Sequence, residues 1–139
     1  MASTGQERAN IIAGAIFAVL LENWPKDASL IPEKILTPII EKPTSDDVNV
    51  FRGLVNWLRD EGYIRYKSAN MSGAFALVVL SEKGLRTLNA IPVGISGTKT
   101  FGEKIVEASK DVSKESAKKA IADLVGQMIG GVIKSLVGN

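Results

Sequence analysis

Residues 44–81, TSDDVNVFRGLVNWLRDEGYIRYKSANMSGAFALVVLS, leave the chain little choice of fold. Thr44 followed three residues later by Asp47 is a capping-box-like helix start. Val48, Phe51, Val55 and Leu58 then recur at helical spacing, flanked by Leu54 and Trp57. Gly62 stops that pattern, because glycine accepts the positive φ needed to leave a helix and turn tightly into a strand. Beyond it the period changes. YIRYKS and AFALVVLS are strand-like runs around a polar ANMSG turn, and Ser81 opens a short helix, SEKGLRTLNA.

The residues before this unit add helices. Residues 6–23 carry Ile12, Ile16, Val19 and Leu20 on one face, widened by Ala13 and Phe17, and Pro25 ends the run. Its apolar core, IIAGAIFAVLL after Arg8, has the length of a signal-peptide core. Glu7 and the following ENWPKDAS do not suit such a leader, and the run is too short for a bilayer, which needs about 20 residues. A buried first helix is expected. Pro32 fits the first turn of a second helix, which Pro38 kinks or shortens.

Helix, helix, capped helix, strand, turn, strand and S-E-K-G-L resembles the winged helix-turn-helix superfamily. The residues that carry the resemblance lie in 51–88, with a third helix ending in Leu58…Glu61-Gly62-Tyr63-Ile64, a β-wing, and Leu80-Ser81-Glu82-Lys83-Gly84-Leu85 opening the next helix. It covers about residues 6–90. The expected class is α+β, mostly helical, a winged-helix domain over 1–90, a linker at 91–99 and a helical segment at 100–139. A generic small α+β domain is the alternative.

The resemblance implies DNA binding, with the third helix in the major groove and the wing on the backbone or minor groove. By position the contacts would be Asn49, Arg52, Asn56 and Arg59 on the helix, and Arg65, Lys67, Ser68 and Asn70 on the wing. Asn and Arg suit adenine and guanine edges, while Lys and Ser suit phosphates. Charge argues the other way. The net charge is +2, and residues 46–70 balance Arg52, Arg59, Arg65 and Lys67 against Asp46, Asp47, Asp60 and Glu61. Asp46 and Asp47 favour their own helix dipole and would repel phosphate there.

Catalysis has little to stand on. The chain contains no histidine and no cysteine, so the commonest general base, thiolate nucleophiles and the usual zinc ligands are missing. GISGTKT lacks the GxxxxGK[ST] spacing of a phosphate loop. No catalytic residue, metal or cofactor is expected, and the cysteine-free composition is compatible with a cytoplasmic setting.

The tail carries the most regular pattern. Thr100 and Glu103 form a second capping box, and a break is expected near Asp111–Ser113. Then Ile121, Leu124, Val125, Met128, Ile129, Val132, Ile133 and Leu136 form one uninterrupted apolar stripe. Ala122, Gly126 and Gly130 lie behind it as small-residue steps. Asp123, Gln127 and Lys134 argue against a membrane span. Three surfaces could cover the stripe, namely the chain's own domain, a second copy, or a membrane interface. The leading expectation is a homo-oligomer, a dimer above all, of a non-catalytic DNA-binding transcription regulator. The alternative is a neutral adaptor whose amphipathic tail docks a protein partner or a membrane surface.

Overall fold

Helix α1 (Gly5–Asn23) is the axis of the molecule, and its sequence explains why. Ile11, Ile12, Ala13, Gly14, Ile16, Phe17, Ala18 and Leu20 are all buried, more than one face of a helix can hold. A helix apolar around most of its circumference has to be covered from several directions. The computed structural model describes the backbone of residues 5–92 and 97–138, and side chains up to residue 129. After α1 come β1 (Ala28–Leu30), α2 (Pro32–Leu36), α3 (Ser45–Asp60), β2 (Ile64–Arg65), β3 (Ser68–Ala69) and β4 (Phe75–Leu80). Then follow α4 (Glu82–Leu88), α5 (Phe101–Ser109) and α6 (Glu115–Gly138). The molecule is α+β, a mostly helical chain with one small antiparallel sheet.

The start and stop signals are realised in detail. The Thr44 side chain accepts from the Asp47 amide, and the Asp47 carboxylate accepts from the Thr44 amide at 2.8 Å, closing the capping box of α3. Thr100 and Glu103 do the same for α5, and the hydroxyl of Ser81 caps α4 by accepting from Gly84 N at 3.0 Å. Gly62 leaves α3 with φ +87°. The Ser81 hydroxyl also donates to the Gly62 carbonyl, while Ser81 N donates to Tyr63 O at 3.0 Å. The second hairpin strand is thus stitched back to the end of α3. A Cβ at Gly84 would sit 2.2 Å from Tyr63 O, so the S-E-K-G step accommodates a backbone approach.

The sheet has order β1–β4–β2, with β3 also pairing β4, all antiparallel. The run YIRYKS is therefore two short strands rather than one. The residues 28–30 are a strand that the sequence does not announce. It forms by pairing with β4, Ala28 opposite Val78 and Leu30 opposite Phe75, across a bulge. At that bulge Leu77 takes φ +57° and turns its side chain outward, 44% exposed.

The tail is not a separate unit. Helices α5 and α6 pack on α1 and on each other, and their buried residues belong to the same core as those of α3 and the sheet. The chain turns between α5 and α6 at residues 110–114, where a break was expected. The residues flanking the expected linker, 91–99, are bonded to each other. Residues 93–96 lie outside the described residues, but Phe101 N donates to Ala90 O at 2.9 Å. Ile121, Leu124, Val125 and Met128 are buried against the chain's own core, Ile129 is half-buried, and Ile121 and Val125 meet α1 at Gly14. For this half of the stripe, the covering surface is α1 rather than a second copy. The side chains of Val132, Ile133 and Leu136 lie outside the described residues. Of the expected small-residue face, Ala122 is buried, Gly126 is open apart from Asn10, and the surroundings of Gly130 lie outside the described residues. The close approach instead uses Gly14, where a Cβ would meet Ile121 Cγ2 at 2.2 Å. Among the described residues no helix is long and apolar enough to cross a membrane.

Candidate nucleic-acid interface

The eight candidate contacts lie on α3 and on the β2–β3–β4 hairpin beside it, and the structure sorts them into two groups. The first group holds the hairpin to the helix. Arg59 donates to the Tyr66 hydroxyl and lies over its ring, 4.9 Å from the centroid. Tyr66 in turn donates to Asn56 Oδ1 at 2.6 Å. Arg59 Nε also donates to Asp60 Oδ1 at 3.1 Å. Asn56 Oδ1 therefore has a donor, and Arg59 is stacked on the ring and paired with an exposed carboxylate. These two residues hold the hairpin to the helix, a role their expected place on base edges did not include. Spacing alone could not show it, since the partner Tyr66 comes from the hairpin.

Asn70 is also structural. Its Oδ1 accepts from Ser72 N at 3.0 Å, from the Ser72 hydroxyl at 2.6 Å and from Ala74 N at 3.2 Å. An asparagine side chain that gathers nearby donors in this way fixes a turn. The ANMSG composition signalled the turn, but not which residue builds it.

The second group faces solvent. Asn49, Arg52, Arg65, Lys67 and Ser68 are exposed. None of the three cations forms an ion pair among the described residues. The stem of Arg52 runs along the wing turn, its Cδ 3.2 Å from the position a Cβ would take at Gly73. Helix and hairpin are thereby joined at the turn as well as at Tyr66.

Three of the four acids that balance these cations in the sequence have an arginine beside them, and the fourth, Glu61, is exposed at the end of α3. Asp47 is 6% exposed, spends one oxygen on the capping box, and receives Arg8 Nη1 on the other at 3.0 Å. Asp46 lies 3.6 Å from Arg8 Nη2. Arg8 of α1 thus offsets part of the repulsion expected from the two carboxylates at the start of α3. Asp60 is held by Arg59. From Gly62 to Ser81 there is no acidic residue at all, only Arg65 and Lys67. Across the middle of α3 and along the hairpin, the exposed charge has one sign.

A second concavity lies elsewhere. An open groove of about 600 Å³ between α5 and α6 is lined by Lys99, Lys104, Lys114, Glu107, Asp111 and Asp123, among others. Lys99 Nζ lies 2.7 Å from Glu107 Oε2. That contact holds the Glu107 carboxyl below its ordinary value and the lysine above its own. With balanced charge, this groove gives no anion a reason to settle. Among the described residues no cluster of three or more metal-ligating side chains occurs. Comparison of the chain with protein-family models, with curated proteins and with solved structures returns no match.

Proposed function

We propose that this chain is a non-catalytic winged-helix regulator that binds double-stranded DNA through the middle of α3 and the β2–β4 wing. The element order α1–β1–α2–α3–hairpin, with strand order β1–β4–β2, supports the winged-helix reading. The unannounced strand β1 adds to that support, because it gives the wing sheet its third layer of pairing. One observation carries the functional step. Arg52, Arg65 and Lys67 are exposed and form no ion pair among the described residues, and the stretches 48–58 and 62–81 that hold them contain no acid, while Asp46 and Asp47 lie beside Arg8. A surface of this kind attracts phosphate and releases counterions on binding. Asn49 is the side chain placed to read a base edge, and Ser68 suits a phosphate.

The test is an anisotropy titration of a labelled duplex at low salt. Arg52→Ala with Arg65→Ala and Lys67→Ala should weaken binding at least about tenfold and flatten its salt dependence, by roughly one in slope for each cation removed. Arg59→Ala should act through loosening of the wing rather than through lost phosphate contact. Absence of duplex binding at low salt would overturn the proposal and leave the adaptor reading. Oligomerisation is proposed for the last turns of α6 alone, since the earlier turns are covered in cis. Light scattering on the full chain should give a dimer mass, and a monomer mass would remove that part.

A further inference from the structure

Met71 stands at the tip of the wing and is 98% exposed, by far the most exposed of the large apolar side chains described. The turn that carries it is firmly built. Asn70 Oδ1 gathers its donors from Ser72 and Ala74, Asn70 N donates to Ala74 O at 3.0 Å, and Gly73 N donates to Asn70 O at 3.1 Å. Gly73 supplies φ +94°, and the Arg52 stem packs against it. These bonds fix the turn, and the Met71 side chain at its tip is left in water. Its charged neighbours on the hairpin are Arg65 and Lys67, with no carboxylate between Gly62 and Ser81.

We infer that Met71 is a wedge, which enters the minor groove and partly unstacks one base step when the wing settles on the backbone. This rests on the duplex-binding reading above and adds to it a deformation of the DNA. The chemistry favours a duplex over the other apolar acceptors. A single methionine buries too little surface to hold a chain on a bilayer, which needs a broad apolar face or a second anchor. Methionine is among the apolar side chains that minor-groove binders insert as wedges, and the hairpin below the turn carries only cations to meet the backbone. Steps of the T–A type open most readily, so an A·T-rich duplex is the natural probe.

The experiment uses the full chain at low salt and an alternating A·T duplex in which the fluorescent adenine analogue 2-aminopurine reports unstacking. Wild type should bind and raise the fluorescence about twofold or more. Met71→Ala should lose most of that rise and bind about fivefold to twentyfold more weakly, and Met71→Leu should restore both. Circular dichroism and the unfolding midpoint should not change, since the side chain packs on nothing. Binding without a fluorescence rise, or a rise that survives in Met71→Ala, overturns the wedge and leaves duplex binding standing. No binding by wild type overturns the duplex reading itself, and the wedge with it. Flotation with anionic vesicles is run in parallel. Vesicle binding that needs Met71, without a duplex response, would assign the tip to a membrane surface and overturn the proposal.

Discussion

Gly14 and Gly53 are both helical glycines, and the structure gives them opposite meanings. A methyl group at Gly14 would overlap Ile121 Cγ2 at 2.2 Å, so α6 could not keep its place on α1. At Gly53, in the exposed middle of α3, a methyl group would meet nothing within 4 Å. Gly14→Ala should therefore cost about 1–3 kcal/mol through overpacking, despite the helix propensity it gains. Gly53→Ala should add about 0.5–1 kcal/mol. Urea denaturation of the two variants decides the matter, and equal effects would contradict the packing described. The sequence alone cannot separate the two positions. Each is a glycine in a helical pattern, and only the distant Ile121 makes one of them necessary. The same holds for Asn56, Arg59 and Asn70, whose side chains look like free polar groups until Tyr66 and Ser72 are placed beside them.

At the scale of elements, what was legible followed from local rules. Thr44, Ser81 and Thr100 cap helices because a capping hydroxyl needs only residues within one turn. Gly62 ends α3 for a reason confined to its own φ. Strand β1 depends on pairing with β4, which lies far along the chain, and the division of the first hairpin strand depends on where its residues pair with β4, so local propensity carries no trace of either. Helix α3 also depends on something outside itself. Asp47 joins its cap to Arg8 of α1, with the carboxylate buried. Asp47→Ala should cost about 1–3 kcal/mol, since it removes the cap and leaves Arg8 without its closest partner. Arg8→Ala should cost less, because Thr44 still bonds the carboxylate. Paired unfolding curves of the two variants check that order, and the reverse order would contradict it.

For the whole molecule, the central fact is that α1 serves two layers. The helices and sheet of residues 28–88 cover part of it, and α5 and α6 cover the stripe that includes Asn10, Gly14 and Leu21. A division into a self-sufficient domain and an appended tail looks natural in sequence, because each half shows its own periodicity. The continuous apolar run IIAGAIFAVLL was the sign that both halves share one helix. Truncation before Thr100 should accordingly give a chain that aggregates or unfolds without a sharp transition. A soluble, cooperatively folding 1–99 fragment would contradict the shared core. With the fold closed in this way, the exposed middle of α3 and the β2–β4 hairpin are where duplex binding is proposed. The most direct test is an amide chemical-shift titration of isotope-labelled full-length protein with a duplex at low salt. The shifts should cluster at Asn49–Asn56 and along residues 65–76. Shifts gathered instead on the α5–α6 groove, or none at all, would contradict the account.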